Sequence, residues 1–336
     1  MVLTRVGGQP PLLQTQAPEP PVGEGEVGIA VEACGVCRTD LHIVEGEVEA
    51  QLPIVPGHQA AGRIVEVGPG VSEFQPGDAV GVGWVASTCG RCRFCASGRE
   101  NLCEEATFTG CQRDGGFAER LTANASWVYR LPEGSEPVAA APLLCAGIIG
   151  YRALKLSGIQ PGGRLGLFGF GASAHLSIEV AHHWGCSVYA FTREKHHRDL
   201  AIARGAIWAG ATEDDPRVLL DAAVTFAPAG EVVAAALKRL DRAGTVAVNA
   251  VHMSTIPALD YRDLYGERGV RSVQNYTRRD AEEFLELAAS IPIRAETEVY
   301  PLEKANEALG RIKRGEVHGA AVLEIGPPSP GAILEP

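Results

Sequence analysis

No uninterrupted apolar run in this sequence approaches the roughly 18 residues that a membrane-spanning helix needs, which argues against a membrane partner. The N-terminal stretch MVLTRVGGQPP lacks the continuous apolar core of a secretory signal, so the expected location is the cytoplasm. Positive charge is short as well: 30 lysines and arginines stand against 41 aspartates and glutamates, a formal net charge of −11. Nucleic acid and anionic membrane surfaces, both polyanionic, would not be attracted to such a chain. Internal repeats and low-complexity segments are missing too. The 40 glycines and 22 prolines are scattered, which excludes collagen-like and disordered chains. At roughly 100–200 residues per domain, the 336 residues predict two domains.

Cysteine, by contrast, is plentiful. There are nine, an odd number, and a reducing cytoplasm disfavours disulfides. Four of them, Cys89, Cys92, Cys95 and Cys103, fall in the stretch CGRCRFCASGRENLC, spaced C-x2-C-x2-C-x7-C. Four thiolates this close can complete a tetrahedral shell around zinc. An iron–sulfur cluster of the ferredoxin type would have a last gap of three followed by proline; here the gap is seven and Glu104 follows. A shell of four protein ligands has no open position, so this metal is structural. Its binding would supply folding energy that a polar, Gly-rich loop lacks.

Along the chain, residues 1–150 read as short β segments between Gly/Pro turns, among them Glu26–Val31, Arg63–Val67 and Asp78–Val82. Little in this half has helical periodicity, which suggests an antiparallel, barrel-like unit with long loops. From about residue 151 to 292 apolar strands alternate with helical stretches, the pattern of a buried parallel sheet covered on both faces. Its expected strands are Leu165–Phe168, Val188–Phe191, Ala222–Phe226 and Val246–Asn249, and its expected helices include Ala172–Trp184 and Val232–Leu240. Residues 293–336 read as a tail that returns to the first domain, with a Pro/Gly-rich end from Gly326 expected to fray.

The stretch RLGLFGFGASAH supplies a strand, a glycine turn and a helix start. Gly169, Gly171 and Ala174 fit G-x-G-x-x-A in the context a dinucleotide fingerprint requires. Gly169 permits the tight turn, Gly171 the approach of a pyrophosphate to the helix N-terminus, and Ala174 close packing of helix on sheet. The second strand runs into Thr192 and Arg193, with no acid at the position that would bind a ribose 2′-hydroxyl. Thr192 and Arg193 can instead receive a 2′-phosphate, so the cofactor reading is NAD(P)(H), leaning to NADP.

Three further segments stand out: GVCRTDLH at 35–42, PGHQAAG at 56–62 and PLLCAG at 142–147. Together with the four-cysteine loop and the glycine fingerprint, in this order, the sequence resembles the zinc-dependent medium-chain alcohol dehydrogenases from about residue 20 to 325. The resemblance implies a GroES-like, β-rich catalytic domain joined to a Rossmann domain with a doubly wound parallel sheet. It implies that Cys37, His58 and Cys145 hold a catalytic zinc, giving two zinc ions per chain. It further implies that Thr39 and His42 relay a proton to solvent, bridged by a cofactor ribose hydroxyl, and that Asp40 orients the histidine ligand. Trp84 matches an aromatic that lines the alcohol pocket, and Val48 stands about where some members have a second, bulky tryptophan. The chemistry is coherent: a Lewis acid lowers the pKa of an alcohol, and the deprotonated alcohol can pass a hydride to nicotinamide.

The sequence departs from the family at two places: Gln59 stands where a glutamate usually follows the histidine ligand, and Ala320 where relatives often place a pyrophosphate-binding arginine. The expected function is reversible oxidation of a primary or secondary alcohol to an aldehyde or ketone, by a homo-oligomer (dimer or tetramer) acting on a small substrate. A polyol or formaldehyde dehydrogenase is the nearest alternative within enzymes. A non-catalytic, zinc-stabilised nucleotide-binding redox sensor is the alternative outside them.

Overall fold

The computed structural model describes residues 1–291, 293 and 295–326; the expected fraying of the C-terminal end falls almost entirely outside them. In chain order the larger elements are β1 (Glu26–Val36), α1 (Arg38–Glu45), β2 (Ala60–Val67), β3 (Ala79–Val82), β4 (Val85–Ser87), β5 (Thr107–Phe108), β6 (Arg120–Asn124), β7 (Val128–Arg130), α2 (Pro137–Ala140), α3 (Ala146–Ser157), β8 (Arg164–Phe168), α4 (Ala172–His183), β9 (Ser187–Phe191), α5 (Lys195–Ala203), β10 (Trp208–Gly210), β11 (Leu220–Thr225), α6 (Gly230–Lys238), β12 (Leu240–Val248), α7 (Tyr261–Leu264), β13 (Gly269–Ser272), α8 (Arg278–Ser290), β14 (Thr297–Pro301), α9 (Ala305–Arg314) and β15 (Ala320–Glu324).

Two compact units emerge. The first comprises residues 1–145, 277–285 and 296 onward, the second residues 146–276 and 286–295. The division therefore falls a few residues before the expected one at 150. Residues 277–285, expected within the cofactor domain, cluster with the first unit. One reason is that Arg278 N–H donates to the Glu100 carboxylate at 2.9 Å.

In the first unit the strands run β14-β15-β1-β2-β3-β7, with β6 also on β1. All pairs are antiparallel except β14–β15. The chain returns late to build this sheet: β15 pairs with β1 in the register Cys34↔Leu323 and Val36↔Ala321. Alternating inward residues of β1, among them Val27, Ile29 and Val31, form its core with Ile64, Val80, Phe117 and Leu323. α1 is a helix where none was expected. It has only eight residues, too few for visible periodicity.

In the second unit the order is β10-β9-β8-β11-β12-β13, every pair parallel. This is the Rossmann order, with its switch of direction at β8, where the fingerprint strand lies. Expected and observed strands agree within about two residues, except that β12 begins at Leu240, where helix was expected. The short edge strands β10 and β13 were not anticipated.

One sequence expectation is corrected. The helical run 137–157 is 21 residues long and apolar enough to cross a membrane. Its first charged side chain is Arg152, so residues 137–151 form a nearly unbroken apolar stretch, rich in alanine, glycine and proline, that the sequence reading passed over. Most of it is buried inside the fold, as a core helix would be.

Candidate active site

β1 delivers the chain to Cys37, and the thiol of Cys37 becomes the N-cap of α1: Sγ accepts the Thr39 N–H at 3.3 Å. Asp40 closes the capping box by accepting the Cys37 N–H at 2.8 Å. The tetrapeptide CRTD thus holds a thiol and a carboxylate at one helix start by local bonds alone. His58 follows a turn in which Gly57 has φ 98, and a Cβ there would strike Phe117 and the Cys34 sulfur, so only glycine fits. The turn places His58 Nδ1 3.1 Å from Asp40 Oδ1 and His58 Nε2 3.4 Å from Cys37 Sγ. Gly57 N–H donates to the same Asp40 oxygen at 3.3 Å. Cys145 ends the 141–144 turn with φ −130 and ψ −72, which breaks the helical run and brings its thiol to the same point.

The ligand atoms of Cys37, His58 and Cys145 all lie within 4.8 Å of one another. A tetrahedral zinc with bonds of about 2.3 Å to sulfur and 2.0 Å to nitrogen sets ligand separations of roughly 3.5–3.8 Å, so the donor set fits that ion. The electrostatics agree. A hydrogen bond from Cys145 and the charge of His58 hold the Cys37 thiol well below its ordinary pKa, while the same hydrogen bond and burial push Cys145 well above. Burial works against the imidazolium of His58, but Asp40 and Cys37 outweigh it and raise His58. Burial raises Asp40 despite the neighbouring histidine. Two thiols that share one proton are a set that a divalent cation would complete by displacing it.

The second cluster is Cys89, Cys92, Cys95 and Cys103. Its sulfurs are separated by 3.5 Å (Cys92–Cys95), 3.5 Å (Cys89–Cys103) and 4.0 Å (Cys89–Cys95). Backbone N–H groups of Cys92 and Cys95 donate to the preceding sulfurs at 3.4 and 3.5 Å. The N–H side of Cys95, above all, pulls the Cys92 thiol down to about 7. These separations also match a tetrahedral tetrathiolate shell.

Thr39 and His42 lie three residues apart on α1, on one face of the helix. His42 Nδ1 bonds Glu47, a partner that sequence reading missed because it lies beyond the αL turn at Gly46. Trp84 meets His58 edge-on at 5.1 Å and stacks on Phe108 at 4.9 Å. Phe108 was also missed, and nothing in its local sequence marks it. Val48 packs half-buried against the core, and Gln59 is buried with its carboxamide against Gly35. Ala320 opens β15, opposite Thr297.

In the second unit Gly169 has φ 87 and donates its N–H to Phe191 O at 2.8 Å, tying the glycine turn to the end of β9. A Cβ on Gly171 would meet open space, and Ala174 is fully buried against the sheet. α4 starts at Gly171 with no side-chain cap, so its first N–H groups remain for an anion. At the end of β11 the buried Thr225 hydroxyl has no hydrogen-bond partner among the described residues. These features fit a dinucleotide. Thr192 is buried, and its N–H donates to Gly210 O at 2.8 Å. Arg193 is exposed, and its side chain makes no hydrogen bond or ion pair among the described residues. Arg198, which sequence reading passed over, donates from Nη1 to the carbonyls of Thr192 (3.0 Å) and Arg193 (2.5 Å).

Two cysteines and a histidine converging beside an aromatic wall, a closed shell of four cysteines and a Rossmann turn open to pyrophosphate define the architecture of a nicotinamide-linked, zinc-type oxidoreductase. Comparison with known proteins makes the assignment particular. Residues 23–133 match the alcohol dehydrogenase GroES-like domain. The chain is 46% identical over 318 residues to a probable alcohol dehydrogenase, AdhA, of Mycobacterium tuberculosis, covering 93% of this chain and 91% of that one. Among solved structures it is similar to CAD from Helicobacter pylori complexed with NADP(H) (26% identity, TM-score 0.82, 90% and 91% of the two chains). It is similar as well to the cobalt- and zinc-bound thermostable alcohol dehydrogenase of Pyrobaculum aerophilum (26%, TM-score 0.86, 96% and 98%). The chain belongs to the zinc-dependent medium-chain alcohol dehydrogenase family, and it is an oxidoreductase acting on alcohols.

Proposed function

We propose that the first unit carries the catalytic and structural metals and the second the cofactor, and that the enzyme oxidises a small primary or secondary alcohol reversibly with NADP at least as well as with NAD. The observation that carries this reading is the convergence of Cys37, His58 and Cys145 within 4.8 Å, with Asp40 behind the histidine. Zinc held there would supply a Lewis acid that lowers the pKa of the alcohol, and nicotinamide held by the second unit would supply the hydride acceptor. Asp40 accepts from Nδ1 and so presents the Nε2 lone pair to the metal. Thr39 accepts the alcohol proton and His42, hydrogen-bonded through Nδ1 to Glu47, hands it to solvent. Trp84, braced by Phe108, forms one wall of the substrate pocket.

Cys89, Cys92, Cys95 and Cys103 hold the second, structural zinc. Gly169, Gly171 and Ala174 seat the pyrophosphate, and Thr192 and Arg193 face the adenosine ribose. The missing acid at the end of β9 supports NADP, because no carboxylate stands at the strand end itself to repel a 2′-phosphate, the first acid being Glu194, two residues after Thr192. Exposed Val251, Tyr261 and Tyr265, near the edge strand β13, support a homo-oligomer; we place it in the cytoplasm. The test is to add alcohol and NADP or NAD to the purified protein and follow reduced nicotinamide by its near-ultraviolet absorbance, with metal content measured in parallel. No turnover in protein holding two zinc ions per chain would reject the catalytic reading in favour of a nucleotide-binding sensor.

A further inference from the structure

The last gap of the cysteine loop is seven residues, longer than the two-residue gaps before it, and it carries a buried acid. Glu100 opens a single 3₁₀ turn, Glu100–Leu102, directly before Cys103. Its backbone is tied to that last ligand, because Cys103 N–H donates to Glu100 O at 3.0 Å. Its side chain serves a different part of the chain. The carboxylate, only 8% exposed, accepts the N–H of Arg278 at 2.9 Å and lies 3.7 Å from Arg278 Nε. The Arg278 guanidinium also lies over the ring of Trp127, 5.6 Å from its centre. One acid thus joins a metal ligand to a segment 178 residues further along the sequence.

Arg278 is the first residue of α8. A helix start leaves several backbone donors without partners inside the helix. A capping box serves two of them here: Asp280 N–H donates to Thr277 Oγ1 at 3.1 Å, and Thr277 N–H to Asp280 Oδ2 at 2.9 Å. The Arg278 N–H lies between these two and outside the box, and Glu100 is the group that takes it. A carboxylate is also the charge that the positive end of a helix favours. α8 has a particular place in the chain. Residues 277–285 cluster with the first unit and 286–295 with the second, so the chain passes from one unit to the other along this helix. A polar, Gly-rich loop takes its order from the metal it binds, so Glu100 keeps its position only while the loop is closed. We infer that the cysteine loop is a metal-dependent clamp on the start of α8, with Glu100 as the positioning residue that carries metal occupancy to the helix. The inference rests on the structural-zinc reading of the loop and goes beyond it, because it gives that metal a target outside the loop.

The experiment is amide hydrogen exchange, read by mass spectrometry on the full, zinc-reconstituted chain, with zinc content measured in parallel. In Glu100→Ala the amides of residues 278–281 should exchange about tenfold faster or more, the scale of a lost hydrogen bond to a charged group. Those of α4 should not change. Glu100→Gln keeps an acceptor oxygen and should stay near the wild type. Cys103→Ser should accelerate the same α8 amides as Glu100→Ala does. The double variant should go no further than Cys103→Ser alone, because both changes break one connection. Cys145→Ser, which removes a ligand of the other metal, should leave α8 as it is in the wild type. If Cys103→Ser does not fold, chelator-stripped wild type and chelator-stripped Glu100→Ala make the same comparison, and their α8 amides should exchange alike. Additive effects of Cys103→Ser and Glu100→Ala overturn the inference, since Glu100 would then cap α8 whether or not the loop holds metal. So does α8 exchange that ignores removal of zinc from a loop shown to bind it, which leaves the structural-zinc reading intact. A cysteine loop that binds no zinc in the wild type overturns both.

Discussion

Replacing Asp40 with asparagine keeps the volume and one carbonyl oxygen, yet it should cost the catalytic metal. Asp40 Oδ1 accepts from His58 Nδ1 and Gly57 N–H, and Oδ2 accepts from Cys37 N–H. All three groups are donors, and asparagine has only one acceptor oxygen to offer them. With that oxygen toward His58 and Gly57, the amide NH2 faces the Cys37 N–H, and the capping box at the start of α1 is broken. In the flipped state the NH2 faces His58 Nδ1, which must then accept. The imidazole proton moves to Nε2, the nitrogen that points at Cys37 Sγ from 3.4 Å, and the histidine no longer presents a lone pair to a metal. Either arrangement leaves a buried donor facing a donor, since Asp40 and His58 are almost wholly buried.

Loss of a partner that orients a ligand typically lowers metal affinity about 10–100-fold, which is roughly 1.4–2.7 kcal/mol. The assay is competition with a chromophoric chelator on zinc-reconstituted protein, reading release from the two proposed sites separately. Asp40→Asn should shift the release of one zinc by that factor and leave the other, held by four cysteines far along the chain, as in the wild type. Unchanged release of both ions would refute the reasoning, because the donor count admits no neutral arrangement.

Other expectations follow from the same geometry. Thr39→Val preserves shape and removes the hydroxyl, so kcat/KM should drop roughly 10²–10⁴-fold, whereas His42→Ala should stay near the lower limit because water can replace a partly exposed imidazole; equal, small effects across pH would remove the relay. Cys103→Ser should release one zinc, leave the other in place and open the loop at 88–104 to limited proteolysis, since a four-ligand shell has no spare donor. Glu298 is held by the His318 N–H at 2.7 Å, the Tyr300 hydroxyl at 2.8 Å and Arg311 at 2.5 Å. Burial opposes its ionisation, but these partners win and depress its pKa. A depressed carboxyl stabilises the fold above its unfolded pKa, about 4.3, and that contribution fades as pH falls through the folded value. Glu298→Gln should therefore lower Tm at pH 7 and converge with the wild type in acid; a constant gap at every pH would contradict this account.

The cysteine loop was legible because its ligands are local: spacing alone brings four sulfurs within reach. The parallel sheet was legible for a related reason. Strands buried on both faces read as apolar runs, and Gly169 to Ala174 carry the conformational demands of the turn in their identities. Cys37, His58 and Cys145 were legible only as a resemblance. Each sits at the end of a different element, and nothing in their separation along the chain encodes the point where they meet. Helix α1 was lost because its N-cap is a cysteine instead of serine or aspartate and its eight residues complete barely two turns. β10 and β13 were lost because strands of three and four residues at a sheet edge bury too little to impose a pattern.

Arg198 belongs to a further class, in which neither spacing nor pattern holds the information. Its significance lies in which atoms receive its bonds. Two carbonyls just past the end of a parallel strand have no strand-mate left to donate to them, and such carbonyls must find donors. A basic residue one helical turn into α5 is the nearest donor the chain can return to them. The same bond holds the Arg198 guanidinium on the two carbonyls that follow Phe191, whose own carbonyl accepts the Gly169 N–H. Asp40 shows the same economy in the first unit: the carboxylate that caps α1 for local reasons is the one that sets the tautomer of His58. In each unit a charged side chain next to the candidate site is held by backbone groups that need a partner whether or not a ligand is bound. That is why the geometry of each site can exist before the metal or the cofactor arrives.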